Sequence, residues 1–381
     1  MDCSSELVHS LLPILLVSTL GASVAMLGVI EGIAEATALV TKVFSGAVSD
    51  LFQKRKPLIL FGYGLAALTK PLFPLAGSAV AVFAARFLDR IGKGMRGAPR
   101  DALIADVSPI EIRGASFGLR QSMDTVGAFL GPAAAVGLML LFSDQIRTVL
   151  WFAVIPAMAT VALILFGVKE PEHKEARRPF RSPIHPEALR EFSSAYWRVV
   201  VIGAIFTLAR FSEAFLVLRA TQTGLTLAWA PVVMIVMNVV YALSAYPAGI
   251  LSDRIGRRGL LLCGLLLLAA ADFVLAHAKN PAVLLWGVSL WGLHMGLTQG
   301  ILAALVADTT SPTLKGTAFG IFNLVAGLFT LFASVLAGAL WSRFGAPATF
   351  YASAGISLAA MATLIAWRGS PSSGPEHSTR T

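Results

Sequence analysis

The chain has 381 residues, of which 56% are hydrophobic and only 13% charged, about half the charged fraction of a soluble domain. Apolar runs long enough to cross a ~30 Å hydrocarbon core recur along its whole length, which excludes a sizeable soluble domain and defines an all-α integral membrane protein. The formal charge of +9 would suggest a nucleic-acid partner on a soluble surface, but here the cations gather in connections between apolar runs, so no nucleic-acid partner is expected.

Twelve spans are predicted, near 5–21, 24–48, 57–77, 79–95, 114–141, 147–168, 197–218, 226–251, 259–277, 281–307, 316–341 and 347–367. The first is short: its apolar part runs only from Leu7 to Leu20, so either Asp2 to Glu6 lie inside the membrane or the true start is upstream. It also lacks the basic head and small-residue cleavage site of a signal peptide. Alternate connections, beginning with the second and including the tail, carry twenty Lys and Arg, against four in the other set. By that asymmetry both termini and the basic connections are cytoplasmic, and a multi-pass protein of the bacterial cytoplasmic (inner) membrane is expected. The segment 169–196, with four prolines and mixed charge, reads as a cytoplasmic linker between six-helix bundles at 1–168 and 197–368, with a tail at 369–381.

Several ionisable residues fall inside these spans, where a lone charge costs roughly 2.5–3.5 kcal/mol on insertion scales. Glu31 and Glu35 are one turn apart on the second span, and Arg86, Asp89, Arg90 and Lys93 form one face of the fourth. Arg120 and Asp124 share a face of the fifth span, and Arg210 and Glu213 of the seventh; Asp272, His277 and His294 are single polar residues. The carboxylates are candidates for binding a coupling proton or for static pairing with the arginines; the cations are candidates for holding a substrate anion through bidentate forks. Arg96, Arg100 and Asp101, nearer the cytoplasmic edge, read as a gate or a positive-inside anchor. No cofactor is indicated. Cys3 and Cys263 are far apart with no metal-ligand spacing, and no phosphate-binding glycine loop occurs, so energy would come from an ion gradient.

The chain repeats itself. Gly46 and Asp50 match Gly249 and Asp253 at an offset of 203; Gly94, Ala105, Asp106, Gly114, Phe117 and Gly118 match Gly296, Ala307, Asp308, Gly316, Phe319 and Gly320 at 202. Glu31 and Glu35 stand opposite Met234 and Asn238, and Arg120 and Asp124 opposite Phe322 and Ala326, so the repeated unit folds without these charges.

On these residues the whole chain resembles the major facilitator superfamily (MFS), two six-helix bundles related by pseudosymmetry. Its loop signature is met by Gly249, Leu251, Asp253, Arg254, Gly256, Arg257 and Arg258; the first copy keeps Gly46, Asp50, Arg55 and Lys56 but lacks the Arg and Gly that follow the Asp. Arg86, Asp89, Gly92 and Gly94 resemble the helix 4 signature, and Gly127, Gly131 and Pro132 the helix 5 signature associated with proton antiporters. The run DRIGKGMRGAPRDALIAD is similar to a bacterial permease subgroup with siderophore-linked and magnetosome-associated members. The resemblance implies secondary transport of a small molecule by alternating access in a monomer, with uptake of an iron chelate or organic anion and proton-driven efflux as rival directions. It also implies a gating role for Asp50, Arg55, Asp106, Asp253, Arg254, Arg257, Arg258 and Asp308, and bending or close approach at Gly127, Gly131 and Pro132. A receptor or assembly factor on the same fold is the remaining class; a membrane enzyme would need a metal or nucleophile cluster, and His and Cys are scattered.

Overall fold

The computed structural model describes residues 1–52, 54–109, 112–170, 186–311 and 314–366. The described residues form twelve spanning segments. Helix α1 runs from Asp2 to Ile14 and continues as a π turn over Leu15–Thr19, just after Pro13. There follow α2 (Val24–Phe52), α3 (Arg55–Thr69, extended by the turn Leu72–Leu75), α4 (Ala79–Val107), α5 (Arg113–Leu141) and α6 (Ile146–Trp151 and Val154–Gly167). After a short helix at Pro186–Glu191 come α7 (Ser194–Ala209 and Ala214–Gln222), α8 (Val232–Ile255), α9 (Arg257–His277), α10 (Pro281–Asp308), α11 (Lys315–Phe344) and α12 (Ala346–Ala366). Ten segments are long and apolar enough to cross a membrane by length and composition alone; α1 and α4 are the two outside that set.

The repeat is visible in the caps and contacts. Ser78 Oγ accepts from Ala81 N at 3.2 Å to start α4, and Asn280 Oδ1 accepts from Val283 N at 2.9 Å to start α10, 202 residues later. Gly94 brings α4 against α2, where a Cβ would sit 2.6 Å from Thr41 Cβ. Gly296 does the same for α10 on α8, against Ser244. In each half a cation in the first turn of the third helix also holds the end of the sixth: Lys56 Nζ donates to Leu165 O at 2.9 Å, and Arg258 Nη2 to Leu364 O at 2.6 Å.

Several boundaries differ from the sequence expectation. The fourth helix does not stop near 95 but continues to Val107, roughly 43 Å in all, so Lys93, Arg96 and Arg100 are helical residues and not loop cations. Asp2 of α1 and Tyr63 of α3 face Arg96, and Asp124 of α5 faces Arg100, so the helix need not end where its composition turns polar. The seventh span is interrupted at residues 210–213, and the eighth helix begins at Val232 instead of 226. Asp50 and Asp253 lie in the last turns of α2 and α8, within the helices and not beyond them. Their side chains and that of Arg254 lie outside the described residues, as do Gln53 and most of the linker and tail.

One apolar cluster ties the two halves together at the face opposite the basic loops. It unites Leu11 and Leu15 of α1, Leu27 and Ile30 of α2, Phe215 and Leu218 of α7, Met237 of α8 and Trp341 of α11. At the basic-loop face each cluster belongs to one half: Ile59, Tyr63 and Ile164 in the first, and two separate groups around Tyr196 and Leu261 in the second. Helices α2 and α11 pack along most of their length, from Gly338 on Val24 to Gly320 on Val43. The shared apolar seal thus lies at the far face, whereas the apolar clusters at the basic-loop face each stay within one half.

Candidate substrate and proton site

The buried charges are paired in layers across the first six helices. Arg86 Nε and Nη2 donate to Glu31 Oε1 and Oε2, both at 3.1 Å, a bidentate fork with both residues buried. Ser212 Oγ, in the α7 break, donates to Glu31 Oε2 at 3.2 Å, so the second half touches this pair directly. His9 lies between Glu6 (Nδ1 to Oε2, 3.5 Å) and Glu31 (Nε2 to Oε2, 3.4 Å). Lys70 Nζ donates to Asp89 Oδ1 at 2.8 Å and to Ser5 Oγ at 3.1 Å, again fully buried. Glu31 is about 10 Å along α2 from its far end and Glu35 about 16 Å, near the middle of the membrane.

Below this layer the groups meet solvent. Glu35, 30% exposed, sits 3.3 Å from Arg90 Nη1, while the Arg90 Nε has no hydrogen-bond partner among the described residues. Lys93 is exposed in mid-helix between buried Gly92 and Gly94, and Glu6, Arg210 and Glu213 are half-buried. Glu213 is within electrostatic reach of His9, Arg210, Glu35 and Glu6, and Lys93 within reach of Glu35 and Glu6. Neither Lys93 nor Arg210 makes an ion pair or side-chain hydrogen bond among the described residues. These ionisable groups thus keep solvent access although they lie in the middle parts of spanning segments.

Two further groups flank them. Arg100, Asp101, Arg120 and Asp124 close a four-membered ring between α4 and α5, with Arg120 2.8 Å from both carboxylates and Arg100 3.5 Å from each. Arg96 is buried: its guanidinium lies 4.5 Å over the Tyr63 ring and 3.8 Å from Asp2, so it is no edge anchor in this structure. Gly127 and Gly131 bring α5 onto α1, since a Cβ on Gly131 would lie 2.7 Å from Cys3 O, and α5 runs unbroken through Pro132. Arg55 pairs with Asp106 at 3.4 Å and Arg257 with Asp308, the same contact in both halves. A Cβ on Gly249 would meet nothing within 4 Å, and one on Gly46 only Ala98 at 3.4 Å, so neither glycine is required there by close packing.

Sequence reading does not single out His9, Lys70, Ser212 or Tyr63 for this network. His9 stands three residues after Glu6 and Lys70 is a lone cation in an apolar span, so both carry a signal. Ser212 carries none, because nothing in its neighbourhood marks the helix break.

A twelve-segment bundle of two repeated halves, joined by an apolar cluster at one face and holding buried and half-buried charges midway along its helices, has the architecture of a membrane transporter of the alternating-access kind. The Major Facilitator Superfamily profile matches residues 2–239 and 214–381. An uncharacterized MFS-type transporter of Methanocaldococcus jannaschii is 32% identical over 348 residues, 89% of this chain and 85% of that one. The nucleoside transporter NupG superposes with a TM-score of 0.77 at 14% identity, covering 96% of this chain and 95% of that one. The human organic anion transporter MFSD10 superposes with a TM-score of 0.63 at 20% identity over 88% and 83% of the two chains. The chain belongs to the Major Facilitator Superfamily: it is a multi-pass membrane protein and a secondary transporter of a small molecule.

Proposed function

We propose that the protein couples proton movement to transport of a small organic anion across a bacterial cytoplasmic membrane, with both termini in the cytoplasm. The observation that carries this reading is a pair of solvent-accessible cations from opposite halves, Lys93 and Arg210, unpartnered among the described residues, with acids at hand in Glu35 and Glu213. An anion held between Lys93 and Arg210 bridges the halves, and its arrival or departure changes the attraction between them. Glu35, exposed and bound to Arg90, is the acid whose protonation frees a guanidinium next to that site. The buried Glu31–Arg86 and Lys70–Asp89 pairs, the ring at Arg100, Asp101, Arg120 and Asp124, and the pairs Arg55–Asp106 and Arg257–Asp308 each lie within one half and hold it together as the halves rock. The halves divide at the linker 169–196, and one chain suffices.

The human organic anion transporter supports the substrate class by similarity, and the permease-subgroup resemblance adds iron chelates of carboxylate or catecholate type. In proteoliposomes under an imposed pH gradient, a panel of organic acids and siderophores should contain at least one compound that moves faster than in protein-free vesicles, with the movement abolished by a protonophore. Accumulation on the acidic side identifies antiport and on the alkaline side symport. Movement of neutral solutes only, insensitive to the gradient, would overturn both the substrate class and the coupling.

A further inference from the structure

Asp272 of α9 is fully buried and sits in the second half where the first half has Lys70, 202 residues earlier. Lys70 has Asp89 as counter-ion, but among the described residues Asp272 has no cation within ion-pair distance, and its Oδ1 has no hydrogen-bond partner. Its other oxygen contacts Ser353 Oγ of α12, which also contacts Ala209 O at 2.5 Å. Ala209 is the last residue of the first part of α7, and the break leaves its carbonyl without the amide of Glu213 that a continuous helix would supply. The serine hydroxyl has one proton and faces two oxygens. A carbonyl and a carboxylate would both be acceptors, so both contacts are hydrogen bonds only if one of the three groups brings a second proton, and only Asp272 can.

We propose that Asp272 is a buried proton-binding site: its acid O–H donates to Ser353 Oγ, Ser353 donates to Ala209 O, and this chain holds the α7 break open. Loss of the proton to water leaves one hydroxyl for two acceptors. Ser353 then turns to the charged carboxylate, and Ala209 O is bare in an apolar interior, where an unmade hydrogen bond is costly. The break relieves this by closing toward a continuous helix with Glu213 N, which withdraws Ser212 from Glu31 and moves Arg210 and Glu213 in the cavity. Among the described residues no neighbouring charge substitutes for the missing proton. Arg219 of α7 donates to the carbonyls of Leu275, Ala276 and Ala278; His294 of α10 contacts Gly264 O; His277 of α9 contacts Phe273 O and Tyr351 of α12; Tyr241 of α8 donates to Gln299. Arg210 and Glu213 belong to the segment that moves.

The test uses the full chain in liposomes without substrate. Infrared difference spectra of the wild type at neutral pH should contain a protonated-carboxyl stretch that is lost in Asp272→Asn and shifted in Ser353→Ala. Amide hydrogen exchange across residues 210–216, corrected for the intrinsic pH dependence, should change as pH rises in the wild type and stay flat in Asp272→Asn, whose amide keeps donating to Ser353. In Ser353→Ala, which should fold even if the Asn variant does not, the segment should exchange independently of pH. Absence of the carboxyl band at neutral pH, or a pH response in either variant equal to that of the wild type, would overturn the proposal.

Discussion

Replacing Arg86 with Met should cost about 3–5 kcal/mol of stability, the typical loss when one partner of a buried ion pair is removed. Glu31 is fully buried, and the two guanidinium bonds at 3.1 Å are its main compensation; Ser212 at 3.2 Å and His9 at 3.4 Å remain. The combination Glu31→Gln with Arg86→Met should recover most of the loss, because a neutral amide left by the guanidinium is far less costly than a carboxylate. Thermal unfolding in detergent checks both statements. A double variant as unstable as the single one would mean that shape, and not charge, sets the value of the pair.

Glu35→Gln should leave the fold intact, because its carboxylate is 30% exposed and bonded to Arg90 at the cavity edge. Gradient-driven transport should fall by about 5- to 150-fold, the range spanned by a coupling free energy of 1–3 kcal/mol, while substrate exchange at equal pH continues. A carboxamide cannot take up and release the proton that links Arg90 to the gradient. Initial rates in proteoliposomes with and without a pH step separate the two modes. An unchanged gradient response removes Glu35 from coupling and leaves the Glu35–Arg90 contact as a structural pair.

The spans are readable in the sequence because the membrane dictates them: an apolar run of about twenty residues has few alternatives to a helix. The charges are readable as a set because each is costly in lipid, and the repeat isolates those that folding does not require. Their partners are not readable, since pairing depends on which helix faces span the interior. Glu31 and Glu35, one turn apart, differ in a way that spacing does not encode: Arg86 and Ser212 bury the first, whereas the second meets solvent. Lys70 escapes notice because one lysine in an apolar run looks like a snorkelling end residue. The fourth helix reads as ending at 95 if polarity marks the edge of the membrane, when Arg96 in fact lies over Tyr63 and Asp101 pairs with Arg120. The α7 break, on which Ser212, Arg210 and Ala209 all depend, has no glycine or proline to announce it.

The central claim is that the ionised residues of the first six helices line a water-filled space entered from the basic-loop face. After Cys3 and Cys263 are replaced by serine, Lys93→Cys can be labelled from either side with a membrane-impermeant maleimide, with Ser143→Cys, in the loop between α5 and α6, as the far-face control. Without substrate, Lys93→Cys should react faster from the basic-loop side and Ser143→Cys only from the other. A Lys93→Cys variant that resists the reagent from both sides, or reacts only from the side of Ser143, would contradict the account.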